Sequence, residues 1–98
     1  MARDLPQSVR KYAHSPVFTQ ATIPAALRHD HCTKASVWGL EVVSEGAQIY
    51  TRKGHAPQKV RASDVATIYP EELHHVAPDG NVHFQIEFYR DPAKAGQR

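Results

Sequence analysis

Imidazole is the chemistry-bearing group this chain holds in excess: seven histidines in 98 residues, against one cysteine. Neutral imidazole ligates zinc, iron, copper and nickel. His31 and His74 are the favoured metal ligands, because each sits at a strand-like segment. Two strand-borne histidines far apart in a chain can converge at the mouth of a small β-barrel. The competing reading of each is a hydrogen-bonded surface histidine. His29 lies two residues from His31, so on an extended segment both could face inward as an H-x-H pair. His74 and His75 are adjacent, so only one of them can look into a cavity.

A third ligand could be a carboxylate. In Val37-Trp-Gly-Leu-Glu-Val-Val43, Glu41 shares parity with Val37, Gly39 and Val43, while Trp38, Leu40 and Val42 form the other face. If the first set is interior, Glu41 is buried among valines, which is costly unless it is paired or bound to a metal. Two imidazoles, one carboxylate and open positions match the facial triad of non-haem iron sites. If the other set is interior, Glu41 is solvated, and this is the favoured alternative. Gln85 and Glu87 lie opposite the Phe84, Ile86, Phe88 stripe, where they either orient a ligating imidazole by hydrogen bonds or form an ordinary wet face. Cys32 follows His31, and nothing nearby argues for a lowered thiol pKa.

The elements that must position these groups are strands. Val17-Phe-Thr19, Ser36 to Ser44, Ala47 to Arg52, Gln58 to Arg61, Val65 to Tyr69, His74 to Ala77 and Val82 to Tyr89 read as short strands. Glu45-Gly46 and Pro78-Asp-Gly-Asn81 read as the reversals between them. No window shows a capped helical period. The pattern predicts an all-β sandwich or barrel. Residues 1–15 read as an N-terminal arm, 16–92 as the β domain and 93–98 as a C-terminal tail.

Composition bounds the partners. The formal charge is +2, and the twelve Lys and Arg residues form no run longer than two, so no nucleic-acid partner is expected. A single cysteine permits no internal disulfide. No stretch approaches the roughly 18 apolar residues of a membrane span, and no signal segment is apparent, so no membrane partner and a cytoplasmic location are expected. There is no glycine-rich phosphate loop and no G-x-S-x-G elbow.

Several segments together resemble a known family. Asp64-Val-Ala-Thr-Ile-Tyr-Pro70 followed by His74 resembles the second cupin motif, with Ser63 where a glycine is usual. His31-Cys-Thr-Lys-Ala-Ser-Val-Trp38, Val42-Val-Ser-Glu-Gly46, Pro70-Glu-Glu-Leu-His-His-Val76 and Phe84-Gln-Ile-Glu-Phe-Tyr89 are similar to the TehB/YeaR-like small cupin family. The resemblance runs from about Pro16 to Pro92. It implies a cupin-type double-stranded β-helix (jelly-roll) with a cavity, and it carries His31 and His74 over as metal-site residues. Trp38 falls on the family's aromatic position and Gln85 on its polar position on the last strand. Glu41 stands where related proteins place an apolar residue.

The function implied is that of a stand-alone tellurite-resistance-type domain, without the methyltransferase to which some members are fused. It would bind a divalent metal, zinc first and iron or nickel as alternatives, and a small-molecule or oxyanion ligand in a tellurite, oxyanion or oxidative stress response. A metal-dependent oxygenase- or isomerase-like enzyme and a ligand-sensing interaction module are the alternatives. Family cupins associate, so a homodimer is expected.

Overall fold

The computed structural model describes residues 5–95. Six strands, all antiparallel, account for most of it: β1 (Arg10–His14), β2 (Phe18–Thr19), β3 (Trp38–Arg52), β4 (Gln58–Arg61), β5 (Val65–Ile68) and β6 (His74–Arg90). A short 3-10 turn at Ala25–Arg28 and a one-turn helix, α1 (Pro92–Ala95), complete the elements. No helix among the described residues is long and apolar enough to cross a membrane.

The β content agrees with the sequence pattern, but the strands are fewer and longer. The two segments on either side of Glu45-Gly46 are one strand of 15 residues, and those on either side of Pro78-Asn81 are one of 17. The physical reason is that both predicted reversals face each other across the same ladder. β3 pairs with β6 from Trp38↔Tyr89 to Arg52↔His74, with register shifts between Val43 and Glu45 and between Gly46 and Gln48. Such β-bulges bend a strand and sharpen its twist without ending it. Gly46 takes a φ of 74°, and a Cβ there would lie 1.8 Å from the Asn81 carbonyl oxygen. Glycine is required at that bend.

The bend has a consequence for the interior. Before it, Gly39, Glu41 and Val43 are buried on one parity, with Leu40 also covered on the other; after it, the buried residues are Gln48 and Tyr50. The shift in register flips the parity of the inward face. It also lets β3 carry two short strands on the edge away from β6: β5 pairs with Gly39 to Val42, and β4 with Ala47 to Tyr50. The hydrogen-bonded order is β1-β6-β3-β4, so strand pairing leaves two free ends and does not close a barrel. β2 pairs with β6 at Phe18↔Phe84.

The core gathers alternate residues of β6 (Val76, Val82, Phe84, Ile86) with Val43 and Tyr50 of β3, Val60 of β4, and Ala66 and Ile68 of β5. Phe84 is fully buried and packs against Phe18, ring centroids 5.6 Å apart. Truncating such a ring to alanine costs about 3–5 kcal/mol. Ile23 belongs to the same cluster, and Leu27 packs against it from the 3-10 turn.

Candidate metal-binding cavity

His31 and His74 are brought together by the backbone. They form an isolated antiparallel bridge in which each amide donates to the other's carbonyl, at 3.0 Å and 2.9 Å. Directly opposed residues in such a pair put their side chains on the same side. The two rings accordingly lie with centroids 4.2 Å apart, tilted by 57°.

Both rings are held in one tautomer. Nδ1 of His31 is 2.9 Å from the His29 carbonyl oxygen, and Nδ1 of His74 is 3.0 Å from the Glu72 carbonyl oxygen. A carbonyl oxygen only accepts, so each Nδ1 carries the hydrogen and each neutral ring keeps its basic lone pair on Nε2. His74 is only 2 % exposed. Burial holds its pKa below the ordinary imidazole range, and the neighbouring His31 acts in the same direction, against the Glu72 carbonyl hydrogen bond. The neutral, ligating form is therefore favoured. Tyr50 sets an edge-on ring against His74 at 5.7 Å, and its hydroxyl donates to the Thr67 carbonyl at 2.9 Å.

The two rings open onto a cavity of about 390 Å³. Thr33, Lys34, Cys32 and Tyr12 share its wall with Leu27, Val37, Ile68, Ile86 and Phe88. Among the described residues, no group of three or more His, Cys, Asp or Glu side chains stands close enough to hold a metal ion. The Nε2 atoms of His31 and His74 amount to two imidazole donors, fewer than the three or four protein ligands of ordinary zinc sites.

The remaining candidates lie elsewhere. His29 is exposed, and its Nδ1 is 3.1 Å from the Ala25 carbonyl; its own carbonyl is what fixes the His31 ring. His75 turns to the opposite side from His74, where its Nδ1 meets Asp30 at 2.9 Å. That hydrogen bond lowers the pKa of the Asp30 carboxyl. Trp38 packs its ring on Tyr69 at 5.4 Å and lines a separate hollow with Val9 and Asp91. Gln85 donates to the Ser15 carbonyl at 2.9 Å, tying down the segment between β1 and β2. Glu87 pairs with Lys11 at 3.3 Å and accepts from the Tyr89 hydroxyl at 2.7 Å. Neither Gln85 nor Glu87 is among the cavity-lining residues.

Glu41 is a correction to the favoured sequence reading. Instead of being solvated it is fully buried, and its partner is Gln48, whose Nε2 donates to Glu41 Oε2. Burial pushes the Glu41 pKa up to about 7, against the opposing effect of that hydrogen bond. Glu41 Oε1 and Gln48 Oε1 have no hydrogen-bond partner among the described residues. Glu41 is not among the residues lining the histidine cavity. No residue pattern pointed to Gln48, because its inward orientation depends on the register shifts between Val43 and Gln48. Lys34 and Thr33 carried a signal only through their position beside His31.

Fold and site together define a small antiparallel β protein with a histidine pair at the wall of a mostly apolar cavity. The TehB-like domain family matches residues 13–86, and the chain belongs to that family. No curated protein matches it. The fold is shared with a crystal structure of a protein from E. coli (strain K12), at a TM-score of 0.83 and 22% identity over 93% of this chain and 99% of that one. It is shared as well with the crystal structure of TehB from Haemophilus influenzae, at a TM-score of 0.80 and 22% identity over 90% of this chain. The chain corresponds to 33% of the length of that TehB chain.

Proposed function

We propose that this protein is a small cupin-type metal-binding protein in which His31 and His74 hold a divalent ion through Nε2. Zinc is the first choice of ion, since imidazole donors suit it and it has no demanding geometry of its own. The observation that supports this reading is the double tautomer lock: both Nδ1 atoms are committed to backbone carbonyls, leaving two basic nitrogens on neighbouring rings. Ligating histidines generally have their second ring nitrogen held in this way. The ion would polarise whatever group of a bound ligand reaches it. Membership of the TehB-like family supports a role in tellurite or related oxyanion stress. In the cupin jelly-roll reading, the bent β3–β6 ladder is one wall of the sandwich.

Elemental analysis of protein purified without a metal-affinity tag tests the site. About one equivalent of metal in the wild type, lost in both His31→Ala and His74→Ala, is expected; equal metal in all three, or none, contradicts it. The free edges of β1 and β4 support self-association as a homodimer, since unpaired edges are commonly covered. A monomeric mass by light scattering at micromolar concentration would refute the dimer.

A further inference from the structure

We infer that the cavity beside His31 and His74 takes a small organic acid, a carboxylate carrying a compact apolar body, in preference to a bare inorganic oxyanion. This rests on the proposed function only in placing the ligand head near the histidine pair.

Three features of the cavity carry the inference. The first is size. At about 390 Å³ it falls within the roughly 300–1,000 Å³ of small-molecule sites. A water molecule claims about 30 Å³, so an oxyanion with three oxygens fills on the order of 100 Å³ and leaves most of the space open. The second is the wall. Leu27, Ile68, Ile86 and Phe88 contribute an apolar surface that an inorganic anion cannot use. The third is charge. The cavity is lined by no aspartate or glutamate, and its one always-cationic side chain is Lys34, which makes no ion pair among the described residues. Thr33 cannot substitute as a donor, because its hydroxyl already donates to the Val37 carbonyl at 2.7 Å. The Lys34 ammonium therefore offers a partner to an anionic head, and the apolar wall offers hydrocarbon to the body behind it.

Burial of a methylene is worth about 0.8 kcal/mol, a factor of roughly four in affinity. Calorimetric titration of the wild-type protein with acetate, butanoate and hexanoate, and with selenite and 1-hexanol as controls, tests the inference. Affinity should rise about fourfold per methylene, to on the order of 100-fold from acetate to hexanoate. Hexanol should bind at least tenfold more weakly than hexanoate, and Lys34→Gln, at an exposed position, should narrow that gap. Equal affinity for acetate and hexanoate, selenite binding more tightly than hexanoate, or no binding of any carboxylate would each overturn the inference. Metal content, measured on the same preparations, separates the two readings. A metal-loaded protein without chain-length dependence refutes the ligand class alone. A metal-free protein that binds hexanoate with that dependence supports the ligand class and refutes the metal site.

Discussion

Glu41→Gln replaces one oxygen by an amide nitrogen at the most deeply buried acid among the described residues, and its effect on stability should depend sharply on pH. Glu41 is fully buried on β3, flanked across the sheet by Ala66 of β5 and Ile86 of β6. Its pKa rises from an ordinary 4.5 to about 7, chiefly because burial penalises the carboxylate. An acid whose pKa is higher in the folded state favours folding when protonated. The contribution is fully present below pH 4.5 and is lost as pH rises through about 7. Each pH interval of one corresponds to about 1.4 kcal/mol, so the loss between pH 4.5 and 7 is roughly 3 kcal/mol. Glutamine cannot ionise, and its amide adds a donor to a pair in which Glu41 Oε1 and Gln48 Oε1 both lack one. The variant should therefore match the wild type at pH 4 and exceed it by up to roughly 3 kcal/mol at pH 8. Urea denaturation at the two pH values reads this as a midpoint shift on the order of 1–3 M at pH 8. His74, held below its ordinary 6.5 by burial, acts in the opposite direction, with stability lost as pH falls below that value. Taking the difference between variant and wild type removes the His74 contribution. A variant less stable than the wild type at pH 8, or a difference that does not change with pH, would refute the reasoning.

Other consequences follow from backbone geometry. Gly46→Ala should destabilise the fold by more than about 2 kcal/mol, because the new Cβ meets the Asn81 carbonyl at 1.8 Å as well as the strain of positive φ. Gly54→Ala shares the positive φ with nothing within 4 Å, so thermal melts should show a cost nearer 1 kcal/mol, and equal costs at the two sites would contradict this account. Ser63 takes a φ of 77° in the turn before β5, so Ser63→Gly should stabilise by about 1 kcal/mol, and a lowered melting temperature would show that its side chain matters more than its backbone.

The β character of the chain was readable because Val65 to Ile68 and the Phe84, Ile86, Phe88 stripe carry the alternation and the branched or aromatic residues that suit strands. Strand ends were not. Glu45-Gly46 and Pro78-Asp-Gly-Asn81 have the composition of hairpin turns, and only the pairing of Gly46 with Val82 and of Gln48 with Pro78 shows them as matching bends in two long strands. That misreading hid Gln48, whose burial depends on the register shift. The face of Glu41 could not be read from parity either, because Leu40 and Glu41 are both buried: β3 is flanked by strands on both edges and covered on both faces here. At the site, a strand at His74 was legible, whereas His31 lies in an isolated bridge whose partner only the tertiary fold supplies.

The central claim, metal ligation through the two Nε2 atoms, is tested most directly by nitrogen-15 NMR of the imidazole rings during zinc titration. One equivalent of zinc should shift the Nε2 resonances of both His31 and His74 and leave their Nδ1 atoms protonated on the His29 and Glu72 carbonyls. Nε2 resonances that stay in place through excess zinc, or a shift confined to one of the two rings, would contradict it.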